Sequence, residues 1–88
     1  MNKFLAEFLG TMLFLYVVLA TGSAIPVGLS FVLARLMFGP ISGGYFNPAT
    51  TVMMVAKGSM SAADLLPYIV AQVAGGLTAL ELYKRVKM

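Results

Sequence analysis

The chain has 88 residues, 60% hydrophobic and only 10% charged, where an ordinary soluble domain carries about 25% charge, so a membrane suits it better than water. It contains no cysteine and no histidine, which excludes disulfides, thiolate or imidazole metal sites, Cys nucleophiles and His-based triads. Its net charge of +3 comes from six basic residues that stand alone or at segment ends, a pattern of membrane flanks rather than of a nucleic-acid patch, while Glu7, Asp64 and Glu81 are too scattered for a carboxylate pair.

The first predicted element is a membrane-spanning helix over about 4–20, roughly 17 residues or 25 Å, at the lower end of what crosses a bilayer. Met1-Asn2-Lys3, the apolar run and Thr21-Gly22-Ser23-Ala24 loosely fit a secretion signal. Glu7 falls inside the would-be apolar core of that signal, however, and the remainder of the chain stays strongly apolar, so a retained helix explains more of the sequence. Gly22 offers a helix stop and Pro26 suits a first helical turn, which predicts a very tight reversal. A second span is expected over about 25–39; at roughly 15 residues it is short, and it would share its start with the turn or thin the bilayer around it.

Gly39-Pro40-Ile41-Ser42-Gly43-Gly44-Tyr45-Phe46 reads as irregular, because a proline and three glycines interrupt it. Asn47-Pro48 then supplies an N-cap and a proline at the first helical position, opening a helix to Lys57-Gly58. Ten residues make roughly 15 Å, half a bilayer. Ser61 and Asp64, three residues apart, resemble a capping box ahead of a third span over about 62–83, which Lys84, Arg85 and Lys87 close at an interface. No internal repeat is visible.

Irregular backbone at membrane depth is tolerated only where protein buries it or a wet cavity meets it. A glycine-rich loop and half-length helix, together about 40–57, therefore signal a pathway. A surface loop followed by an interfacial amphipathic helix is the alternative, but residues 48–56 carry no charged face.

Ser42-Gly43-Gly44-Tyr45-Phe46-Asn47-Pro48-Ala49 resembles the first-half signature of the aquaporin and glycerol-facilitator family. Ala6-Glu7-Phe8-Leu9-Gly10-Thr11 is similar to that family's first helix, and Tyr68-Ile69-Val70-Ala71-Gln72-Val73-Ala74-Gly75-Gly76 to its third. The resemblance covers about residues 3–83 in order. It implies an all-α membrane protein: one aquaporin-like repeat, residues 1–88, of three transmembrane helices plus one re-entrant half-helix. It further implies that the Asn47 amide of the Asn47-Pro48-Ala49 signature donates to passing water, that the carbonyls of Gly43, Gly44, Tyr45 and Phe46 form a ladder of acceptors, and that Glu7 holds the loop backbone, with Gln72 in a similar bracing role. The small residues Ala71, Ala74, Gly75 and Ala79 suit close helix packing. Tyr45 stands where the family frequently has histidine.

Family members join two such halves in inverted orientation, so a single copy is expected to be completed by an identical antiparallel subunit, with four such pairs as a larger assembly. With Lys3, Arg35 and Lys57 on one side and Lys84, Arg85 and Lys87 on the other, the positive-inside rule sets almost no preferred orientation. The family's usual selectivity arginine is replaced by Thr50. In the family a second-half filter residue, commonly histidine in water channels, lies twelve residues before the signature asparagine, so the resemblance implies that Arg35, twelve before Asn47, supplies the filter charge beside Gly44 and Thr50 and Val27 of the partner subunit. The alternative for Arg35 is snorkelling near a span end. The function implied is a passive channel for water or small neutral solutes such as glycerol, with no cofactor, metal, nucleic acid or enzymatic step; the competing reading is a non-conducting subunit or assembly module.

Overall fold

The computed structural model describes residues 1–86, and their order is α1 (Lys3–Thr21), α2 (Ala24–Ser42), α3 (Pro48–Lys57), a 3-10 turn (Ala62–Asp64) and α4 (Leu65–Val86). Lys87, counted above with the charges after the third span, lies outside the described residues. α1, α2 and the stretch Ala62–Val86 are each long and apolar enough to cross a membrane. Side chains such as Leu29, Leu36, Leu66, Val70 and Leu77 are exposed on them, as suits helices solvated by lipid rather than by water.

Local chemistry sets each boundary. Asn2 caps α1 by accepting a hydrogen bond from the Leu5 N–H at 2.8 Å. Gly22, in the left-handed region, ends that helix, and Ser23 is the N-cap of α2, so only two residues make the reversal. α1 packs against both α2 and α4, and α3 packs against α4.

The second helix corrects the expectation of a span ending at residue 39. α2 runs 19 residues to Ser42, about 28 Å, and Gly39-Pro40 lies inside it. A proline in the last turn forfeits only its own backbone bond and its local fit. The stop belongs instead to Gly43, whose φ of 93° an L side chain rarely adopts, and whose N–H closes the helix onto the Gly39 carbonyl at 2.8 Å. No shortened span or thinned bilayer is needed. Arg35 in consequence stands seven residues inside the end of α2, about 10 Å, and drops out of the flanking charges that seemed to balance three against three.

Beyond Gly43 the chain turns back along α2. The Phe46 ring lies edge-on to both Phe31 and Phe38, with centroids 6.2 and 6.5 Å away, which sets it one to three turns back from the end of α2. α3 then returns toward the side where α1 begins. Lys3 Nζ and the Asp64 carboxylate meet there at 2.6 Å, so the start of α4 sits beside the start of α1. The capping box is thereby half realised: Ser61 Oγ accepts from the Ala63 N–H, whereas Asp64 turns to Lys3. Gly10 admits this packing. A Cβ built there would stand 2.1 Å from a Phe46 ring carbon, well inside contact distance.

Candidate functional site

Glu7 is fully buried on α1, and its carboxylate gathers four donors from three other parts of the chain. Oε2 accepts from Ser42 Oγ at 2.6 Å and from the Tyr45 N–H at 3.2 Å. Oε1 accepts from the Phe46 N–H at 2.9 Å and from Gln72 Nε2 at 2.8 Å. A carboxylate removed from water is costly unless its lone pairs are filled; here each oxygen has two donors.

The support continues behind this first set. Ser42 Oγ also accepts from the Gly44 N–H, and the Ser42 carbonyl accepts from the Tyr68 hydroxyl at 2.8 Å. Gln72 Nε2 spends its other proton on Thr51 Oγ1 at 2.8 Å. The Thr51 hydroxyl in turn donates to the Asn47 carbonyl at 2.9 Å, which also accepts the Thr51 N–H. Both the loop and the first turn of α3 are thus tied to α1 and α4 through Glu7 and Gln72.

The result is a one-sided loop. Its N–H groups at Gly44, Tyr45 and Phe46 all end on buried side chains. Among the described residues, no N–H or O–H donates to the carbonyls of Gly43, Gly44, Tyr45 or Phe46. Phe46 holds a positive φ of 53°, a conformation that costs a non-glycine residue roughly 1–2 kcal/mol. Its ring, buried among Ala6, Ala34 and Phe38, offsets that strain.

Asn47 begins α3 in extended conformation, and its Oδ1 accepts from the Ala49 N–H at 2.7 Å. Flipping the amide would set Nδ2 against that N–H, so the cap fixes which end is which: the oxygen is engaged and the donor nitrogen is left outward. Asn47, Pro48 and Ala49 are all exposed. They lie at a helix N-terminus, where the peptide dipoles leave a partial positive charge.

The expected filter residues are only partly gathered. Arg35 is exposed, and a Cβ built on Gly44 would lie 3.3 Å from its Cγ, so these two adjoin. Thr50 is half-buried in the first turn of α3. Val27 is half-buried two turns before Arg35 on α2, about 12 Å along the axis, and one chain does not bring the two together. Sequence reasoning gave no role to Ser42, Thr51 or Tyr68. For Thr51 a signal existed, since it lies one helical turn after Asn47, on a helix whose other polar residues are Thr50 and the terminal Lys57.

The family model described as Major intrinsic protein matches residues 1–88. Glycerol uptake facilitator protein-like 6 of Lactiplantibacillus plantarum is 44% identical over 88 residues, covering 90% of this chain and 41% of that protein. Aquaporin Z of Brucella melitensis is 36% identical over 94 residues, and Aquaporin Z of Photorhabdus laumondii 38% over 96, with the same two coverages. The chain therefore spans about two fifths of the length of these curated relatives. No solved structure matches it.

Proposed function

Because this chain belongs to the major intrinsic protein family and is an integral, multi-pass membrane protein, we propose that it acts as a passive transmembrane channel for water or small neutral solutes such as glycerol, built from inverted pairs of subunits. It is a channel rather than an enzyme. The observation that carries this reading is the one-sided loop: its N–H groups are consumed from behind by Glu7 and Ser42, while four consecutive carbonyls and the Asn47 amide nitrogen remain for something else. A row of fixed acceptors followed by a fixed donor suits a file of molecules that both donate and accept. The positive end of α3 beside that donor disfavours cations.

The inverted pairing follows from what would otherwise meet lipid. Asn47, Pro48 and Ala49 are exposed at the inner end of α3, and hydrocarbon satisfies no backbone or amide group. A second copy related by an in-plane two-fold axis covers them and continues the path. Within such a pair, Arg35, Gly44 and Thr50 of one subunit and Val27 of the partner subunit form the constriction.

The direct test is stopped-flow shrinkage of liposomes containing the purified chain, under a sucrose gradient for water and a glycerol gradient for solute. Shrinkage or re-swelling faster than in empty vesicles is expected for at least one of them. Rates equal to empty vesicles in both would overturn the reading and leave a non-conducting subunit. Tags at both termini, read from both sides of the membrane, should each be found on both faces; a single orientation rejects the inverted homodimer while leaving the channel itself standing.

A further inference from the structure

Two buried polar atoms take no part in the network that holds the loop. Thr11 and Gln72 are 1% and 2% exposed, and Thr11 Oγ1 and Gln72 Oε1 find no hydrogen-bond partner among the described residues. Buried polar atoms without partners are rare enough that each calls for an explanation.

The Gln72 orientation is not open to reversal. Its Nε2 donates to Glu7 Oε1 and to Thr51 Oγ1, and an exchanged amide would turn its oxygen onto the Glu7 carboxylate. Oε1 is therefore a fixed acceptor directed away from Glu7. Thr11 lies one turn after Glu7, on the same face of α1. Its hydroxyl is not spent on its own helix, although a helical threonine commonly donates to the carbonyl one turn back. Across the interface, Gly75 is one turn after Gln72, and a Cβ built on it would come 3.1 Å from Thr11 Cβ.

Thr11 and Gln72 also line the same groove, of about 420 Å³, together with Phe46, Pro48 and Gly76. Its remaining walls are leucine and valine side chains, and the two residues are the polar spot within it. We infer that Thr11 Oγ1 and Gln72 Oε1 form a binding site for one water molecule, which donates to Gln72 Oε1, exchanges a hydrogen bond with the Thr11 hydroxyl, and completes the scaffold behind Asn47. A bound water needs room and polar partners: the groove lies against both residues, each brings one unspent polar atom, and a small side-chain adjustment opens those buried atoms to it. This water is distinct from the permeating file: it meets the side chains of α1 and α4, not the loop carbonyls, and the inference stands whether or not the chain conducts.

Water-edited solid-state NMR of the labelled full chain in lipid bilayers reads the site directly. In the wild type, magnetisation from water is expected to reach the Gln72 side-chain amide and the Thr11 methyl group. Thr11→Val, nearly isosteric but without the hydroxyl, should lose the transfer to Gln72 while keeping that to Asn47, and Thr11→Ser should keep both. A wild-type Gln72 that receives nothing from water, or contacts an amide of a second copy instead, overturns the inference even if Thr11→Val fails to fold. Thermal midpoints give an independent sign. A bound water makes Thr11→Val less stable than the wild type, whose buried volume it keeps, whereas a midpoint above wild type means the hydroxyl was an unpaired burden, and the site falls.

Discussion

Residues 43–46 and residues 47–50 are neighbours in the chain, yet they are held by opposite means. In the first stretch, the N–H groups of Gly44, Tyr45 and Phe46 reach side chains of α1 and the end of α2, and those side chains are themselves buried and hydrogen-bonded. In the second, the Asn47 side chain is engaged only by its own helix, and three of the four residues are exposed. The N–H side of the first is finished within one subunit, while its carbonyls and the Asn47 amide nitrogen are aimed but uncovered. Strong local fixation of a group left unpartnered is what a path for a mobile ligand requires, because reorganisation has already been settled by the scaffold.

The contrast is broken most severely from the scaffold side. Glu7→Ala leaves the Tyr45 and Phe46 N–H groups and one Gln72 proton without their acceptor, while Ser42 Oγ falls back on the Phe38 carbonyl. Each such buried orphan costs about 1–3 kcal/mol, so a loss on the order of 3 kcal/mol or more is expected. Thermal unfolding in detergent, with protease accessibility of the loop, reads this; an unchanged midpoint would mean that the loop is held by its apolar contacts alone. Gly10→Ala comes next, because the added methyl enters the Phe46 ring. Overpacking of this kind costs about 1–3 kcal/mol. Adding Phe46→Leu to Gly10→Ala should recover part of the loss, and strict additivity of the two changes would refute their contact.

The same contrast explains what the sequence did and did not disclose. The start of α3 was legible because its signals are local: Asn47 and Pro48 are an N-cap and a first-turn residue whatever surrounds them. The end of α2 departs from its local signals for a related reason. Gly39-Pro40 is a local stop signal, yet helix packing and the Gly43 closure carry the backbone through it to Ser42. The roles of Glu7 and Gln72 came from family resemblance, and nothing in their spacing joins them, since their 2.8 Å contact spans 65 residues. Ser42, Thr51 and Tyr68 were missed because a hydroxyl on an apolar helix has no preferred partner until tertiary packing supplies one. Arg35 reads as close to a span end only where α2 is taken to stop at residue 39 rather than at Ser42.

A smaller effect on the fold, and a larger one on function, is expected at Asn47. Asn47→Asp keeps an oxygen to accept the Ala49 N–H and is as good an N-cap, so the midpoint should move by no more than a few tenths of a kcal/mol equivalent. It removes the outward donor and adds a negative charge beside it. If the donor serves the permeating file, water permeability of proteoliposomes falls while the protein remains folded. Permeability equal to wild type in this variant would show that the cap alone matters at this position.

Arg35→Ala is expected to have as small an effect on stability. The guanidinium is exposed, and the one ion pair among the described residues is Lys3–Asp64, so the change should stay within about 0.5 kcal/mol. Its consequence lies in exclusion. A positive charge in the interior of a span is costly unless it faces water or a partner, and its closeness to Gly44 sets it beside the first carbonyls of the ladder. Arg35→Ala should raise cation leak into liposomes without lowering water flux, and Arg35→Lys should restore exclusion by restoring the charge. If both variants exclude cations as the wild type does, the side chain reaches the headgroups instead, and any barrier to cations must come from the positive end of α3.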